Sequence, residues 1–160
     1  RGVFIAHSPE SNSNLASGVA PVRRFLEQGL RVGLASDVAG GSSLNLFRAM
    51  AHAIQASKLR WQLLDQSLPP LTFDQVFWMA TLGGGSFFGP VGTFAQGYAF
   101  DALVLDDRRY PTVLPLSIQQ RVERLAHLAE ERCLTAKFVS GNSIQIKHWN
   151  PEGSHEKMVP

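Results

Sequence analysis

At 160 residues the chain is long enough to bury one core, and its 44% hydrophobic against 18% charged residues exclude a disordered polyelectrolyte. The 15 basic residues are scattered among 13 acidic ones for a net charge of +2, so they form no stripe of the kind that grips nucleic acid. A single cysteine, Cys133, excludes an internal disulfide, and no apolar run reaches the roughly 20 residues of a membrane helix, so a cytoplasmic protein with neither nucleic-acid nor membrane partner is expected.

Val3–Ala6 is a short, continuously apolar run, which predicts a strand buried on both faces. It has no lead-in and no secretory leader before it, so the chain reads as cut within a larger protein. His7 to Ser17, rich in Ser, Asn and Pro, is expected to be loop. Pro21 suits a first helical position, Val22, Phe25 and Leu26 form one stripe, and Gly29 is placed to end that helix. Arg31–Ala35 returns to strand character, completing a βαβ unit with parallel strands.

After Asp37, Ala39 to Ser43 form a tight loop ahead of a helix from about Leu44 to Arg60, with Leu44, Phe47, Ala51 and Ile54 on one face. Residues 62–71 make a connector. Thr72 and Gln75 then form a capping box, and Gly83-Gly84-Gly85 is expected to stop the helix that follows. That triplet follows a helix and lacks a Lys-Ser/Thr ending, so it is not a phosphate loop. From about Pro90 the character changes. Thr93–Tyr98 is irregular, Ala102–Leu105 is a strand, and Ser117 with Gln120 caps a helix presenting Ile118, Val122, Leu125 and Ala129. Lys137–Ser140 and Ser143–Lys147 flank Gly141-Asn142 and predict a hairpin; the segment from Trp149 is tail.

In parallel α/β barrels, catalytic groups stand on the loops after strand C-termini. Two polar residues occupy that position, His7 after the first strand and Asp37 after the second. A carboxylate there can ligate a metal and exchange a proton with bound water, or it can cap the turn before the glycines. A structural, hydrogen-bonded imidazole is the competing role for His7. His52, His127, His148 and His155 form no His-x-His or His-Glu-x-x-His set, so local spacing assembles no zinc cluster.

Four segments taken in order resemble the amidohydrolase superfamily. His7-Ser8-Pro9-Glu10-Ser11-Asn12, with Leu15-Ala16-Ser17-Gly18 downstream, is similar to its His-Cys-Pro-x-Ser-Asn segment. Gly33 to Gly41 resembles the segment carrying its metal-binding aspartate, and Ala80-Thr81-Leu82-Gly83-Gly84 the helix end after the barrel. Gly92 to Asp106, with Phe100-Asp101-Ala102, is similar to the guanine deaminase branch of the superfamily. Ala35-Ser36 stands where Gly-Thr is usual, Ser8 where Cys is common, and Gly85-Ser86-Phe87-Phe88 where the helix end is Ala-rich.

The resemblance implies an α/β fold in which residues 1–90 are the last two strands and helices of a metal-dependent hydrolase TIM-type (β/α)8 barrel. Residues 91–148 would then be the C-terminal part of a small β-sandwich domain with one helix, and residues 149–160 a tail. It further implies a zinc-dependent hydrolysis of guanine to xanthine and ammonia, with Asp37 as metal ligand and catalytic carboxylate and His7 at the edge of the purine site. The remaining ligands, a His-x-His pair and two later histidines, would lie upstream of Arg1, so the isolated chain is expected to be inactive. A homodimer is implied by the same resemblance. A deaminase of another aminopurine or a triazine, and a non-catalytic α/β module completed by a partner chain, are the competing readings.

Overall fold

The computed structural model describes residues 2–146. Strand β1 (Phe4–His7) and strand β2 (Arg31–Leu34) pair in parallel, in register from Phe4 opposite Arg31 to His7 opposite Leu34. Parallel neighbours need a crossover, and two helices lie on it, α1 (Pro9–Asn14) and α2 (Val22–Glu27). The chain leaves α2 through Gly29 at φ +69°, a conformation glycine adopts without penalty. The βαβ unit is therefore as expected. The first strand is not buried on both faces, however: Val3 is 70% exposed and Ala6 is exposed too, because the helices cover only part of a two-stranded sheet.

Helix α1 shows that the segment after β1 is not all loop. Pro9 stands at its start. Serine and asparagine are indifferent helix formers, so tertiary contacts hold it: Pro9 and Ser11 are buried, and α1 packs on α3 (Leu46–Leu63). Ser13 Oγ donates back to the Pro9 carbonyl at 3.0 Å.

Helix α3 starts at Asn45, whose side chain accepts from Phe47 N. It buries Ala49, Met50, Ala51, Ala53 and Ile54, whereas Leu44, ahead of the cap, is exposed. Met50, Ala53 and Ile54 meet Val22, Val32, Leu71, Val76 and Met79 in one core. Helix α4 (Phe73–Trp78) opens on the expected Thr72–Gln75 capping box. It then widens into a π turn, Met79–Gly83, and stays helical through Gly84 and Gly85.

The triple glycine thus carries the helix instead of stopping it. A Cβ on Gly33 of β2 would stand 2.7 Å from Gly84 Cα, and one on Gly83 would stand 2.7 Å from the Trp78 ring. One on Gly85 would lie 2.6 Å from the Val91 carbonyl oxygen. The missing side chains let the helix settle directly on β2.

Beyond it, strands β3 (Ala102–Leu105), β4 (Leu134–Val139) and β5 (Asn142–Ile144) make an antiparallel sheet in the order β3-β4-β5. Between β3 and β4, helix α5 (Ile118–Leu128) begins with the Ser117–Gln120 capping box. Its buried face is Leu125 and Ala126, and Ala129 just past its end is buried as well, while Ile118 lies 78% exposed on the first turn. The hairpin turn is Ser140-Gly141, one residue earlier than expected; both have positive φ, +49° and +79°, as a type I′ turn demands. Asp101 fixes it by accepting from Ser140 N at 2.7 Å, and Phe100 O accepts from Gly141 N at 2.9 Å. The expected extension to Lys147, the tail, His148 and His155 lie outside the described residues. Among the described residues no helix is long and apolar enough to cross a membrane.

Two substitutions probe this packing. Met79→Ala, at a fully buried site, is expected to cost about 2–5 kcal/mol in urea unfolding. Gly33→Val should cost about 1–3 kcal/mol or more by overpacking against Gly84; an unchanged midpoint would show that the helix does not rest on β2.

Candidate functional site

Because β1 and β2 are parallel, their C-terminal ends lie side by side, and the segments that follow them meet. Helix α1 follows β1, and the loop holding Asp37 follows β2. Asp37 takes φ +48°, a left-handed conformation that aspartate tolerates better than most side chains. Its carbonyl accepts from Gly41 N at 2.6 Å, closing the loop on itself. The two glycines are required by space: a Cβ on Gly41 would collide with Ser36 O, and one on Gly40 would lie 2.5 Å from Ser11 Oγ and 3.0 Å from Asp37 Oδ2.

Ser11 reaches across from α1 and donates through Oγ to Asp37 Oδ2 at 2.5 Å. A hydroxyl that donates to a carboxyl oxygen over so short a distance belongs to the shorter, stronger class of hydrogen bond. Ser11 itself is buried, whereas the carboxylate it holds is exposed. Asn14 adds a second tie across the same gap, donating through Nδ2 to Gly40 O at 2.9 Å. Asp37 is exposed, and among the described residues its Oδ1 accepts no hydrogen bond. One carboxylate oxygen is held and the other is available, the arrangement a monodentate metal ligand or a proton acceptor needs.

His7 ends β1 and is 5% exposed. Burial disfavours its charged form and lowers its pKa from 6.5 to about 4, so the imidazole is neutral at pH 7. Its carbonyl accepts from Ala35 N at 2.9 Å, but no hydrogen bond joins its ring to Asp37. The structure thus couples Asp37 directly to Ser11 and not to His7. In the sequence Ser11 stands out only as one member of a motif. Nothing local marks its role, because its partner lies 26 positions away.

Among the described residues, no three His, Cys, Asp or Glu side chains gather where they could hold a metal. Asp37 follows the C-terminal end of β2 with one carboxylate oxygen unengaged among the described residues. Cys133 is buried and donates through Sγ to Tyr110 Oη at 3.1 Å, a structural contact. A cleft of roughly 210 Å³ opens beside α5, lined by Asp107, Tyr110, Arg121 and Arg124 among others. Its arginine donors are spent on the chain itself: Arg121 grips Asp107 with two bonds, and Arg124 donates to the carbonyls of Tyr110 and Pro111.

The burial of neutral His7 has a consequence for acid stability. Its folded pKa lies below the unfolded one, so between these values the unfolded chain binds more protons. Its contribution to stability is full above about pH 6.5 and is lost as pH falls towards about 4. The drop in urea midpoint between pH 7 and pH 4 should be smaller in His7→Gln than in the unsubstituted protein. An equal drop in both would contradict this.

Comparison with known proteins places this geometry in a family. Mouse (Mus musculus) guanine deaminase is 32% identical over 157 residues, covering 90% of this chain and 34% of that protein. A 5-methylthioadenosine/S-adenosylhomocysteine deaminase of Nitratidesulfovibrio vulgaris is 41% identical over 108 residues, covering 66% of this chain and 24% of its own length. The crystal structure of guanine deaminase from C. acetobutylicum, with guanine bound in its active site, matches with a TM-score of 0.84 at 44% identity. That match covers 89% of this chain and 34% of the solved one. The chain therefore spans a quarter to a third of the length of these relatives. Residues 1–144 match the family model described as the amidohydrolase family, and the chain belongs to that family.

Proposed function

We propose that this chain is the C-terminal part of a guanine deaminase, carrying the catalytic carboxylate of a zinc-dependent hydrolysis of guanine to xanthine and ammonia. In this reading β1 and β2 are the last two strands of a TIM-type (β/α)8 barrel, and β3–β5 with α5 belong to a small β-domain. The observation that carries it is the Ser11–Asp37 hydrogen bond, which joins the segments following two adjacent parallel strands and leaves one carboxylate oxygen free. The 44% identity to a guanine deaminase with guanine bound supports the choice of substrate. A cytoplasmic homodimer is the assembly we assign to the whole protein.

Asp37 would hold the zinc, together with histidines from the rest of the barrel. When bound, the metal supplies Lewis acidity and makes water nucleophilic near neutral pH. Ser11 anchors Oδ2, so the carboxylate cannot swing away from its task. Asp37 accepts a proton from the water that attacks the ring carbon bearing the amine, and that proton leaves with the departing ammonia. His7, buried and uncharged, offers one donor and one acceptor to a heterocycle edge without placing a positive charge near the metal.

The 41% identity to a deaminase of a different purine derivative favours a second reading, in which the substrate is another aminopurine. Product analysis on guanine, other aminopurines and aminotriazines with the full-length protein separates the two, and xanthine is the expected product. Asp37→Asn should lower turnover by about 10²–10⁴-fold, the range of a lost acid–base group. Ser11→Ala should lower it by about 10–100-fold, the worth of one hydrogen bond to a charged group. The 160-residue chain alone should form no xanthine and bind no stoichiometric zinc; xanthine from it would overturn the proposal.

A further inference from the structure

Ser11 holds Asp37 from one side, and a second set of side chains holds the same loop from the other. Glu10, the neighbour of Ser11 on α1, accepts through Oε1 from the Ser42 hydroxyl at the far end of the loop. Its side chain is mostly buried, at 19% exposure. Its other oxygen, Oε2, faces His52 Nδ1 at 3.9 Å. That nitrogen is buried, and among the described residues it has no hydrogen-bond partner. A buried polar atom left unpaired is destabilising, and Glu10 Oε2 is the acceptor it faces. Less than about 1 Å of approach would bring the pair within ordinary hydrogen-bond range, about 3.2 Å.

We propose that Glu10, gripping Ser42 and backed by His52 of α3, is a positioning residue that fixes the loop from Asp37 to Ser42 and thereby the direction of the Asp37 carboxylate. This rests on Asp37 being the metal-site carboxylate. The loop's own closure is the Gly41–Asp37 backbone bond, and its glycines leave no side chain at positions 40 and 41 to pack. Adjacent residues of α1 therefore divide the work: Ser11 sets the carboxylate itself, and Glu10 sets the backbone that carries it. Glu10 is engaged with Ser42 and not with the Asp37 carboxylate, so it acts through the loop.

The test uses the metal-loaded full-length protein with Glu10→Ala, Glu10→Gln, Ser42→Ala and the Glu10→Ala/Ser42→Ala double variant. The first readout, hydrogen exchange of the loop amides including Gly41 N, does not depend on any substrate. Glu10→Ala and Ser42→Ala should each speed that exchange about tenfold, and the double variant should do no more, as expected for partners in one interaction. Glu10→Gln keeps an acceptor for Ser42 and should retain most of the protection. The second readout is turnover: Glu10→Ala should lower kcat roughly tenfold with KM little changed and zinc retained, the pattern of a displaced catalytic group.

Unchanged loop exchange in folded Glu10→Ala would overturn the proposal whatever the activity. Faster exchange with unchanged kcat would overturn the link from loop to carboxylate. Faster exchange in a protein whose unsubstituted form does not deaminate guanine would sustain the loop-positioning role, and it would refute the guanine assignment alone.

Discussion

The parallel pairing of β1 with β2 is the constraint on which the rest depends. Register from Phe4–Arg31 to His7–Leu34 ends both strands at one edge, so whatever follows each strand must share the same space. Had the strands been antiparallel, α1 and the Asp37 loop would lie at opposite ends of the sheet. Only because they are parallel can Ser11 reach a carboxylate 26 positions away. The bare contact of Gly33 with Gly84 brings the widened helix against the strand that leads to Asp37. That packing lies at the end of β2 from which the Asp37 loop departs.

The side chains near that edge differ in burial and in partners. His7 is buried and neutral, whereas Asp37 is exposed with Oδ2 accepting from Ser11. Glu10 is set back on α1 and engaged with Ser42. A lone parallel pair is an unusual free-standing unit, because parallel strands are ordinarily covered on both faces. Val3 at 70% exposure and Val38 at 60% flank strands that each have one neighbour among the described residues. That open surface accords with the proposed place of β1 and β2 in a larger barrel, as does a chain spanning about a third of the guanine deaminases it matches.

Features determined by neighbours along the chain are legible in the sequence. Both capping boxes, Thr72–Gln75 and Ser117–Gln120, can be read there because each bond closes within three residues. The βαβ unit follows from apolar runs and Gly29, and the candidacy of Asp37 from its place after a strand. Distant contacts set the rest. Pro9–Asn14 has a loop's composition and is helical because α3 supports it. Gly83 to Gly85 has a terminator's composition, yet it serves close approach to β2, Trp78 and Val91. Ser140-Gly141 forms the turn in place of Gly141-Asn142 because Asp101 and Phe100, some 40 residues upstream, capture its amides. The observed duty of Phe100 and Asp101 is to lock that hairpin.

The central claim is that Asp37, held at Oδ2 by Ser11, presents its other oxygen to a catalytic metal. Anomalous diffraction at the zinc edge from crystals of the full-length protein grown with guanine tests it most directly. A zinc peak about 2.0–2.2 Å from Asp37 Oδ1, with the Ser11 bond to Oδ2 intact, is the result expected. A zinc ion bound without Asp37, or a carboxylate released from Ser11 to reach the metal, would contradict it.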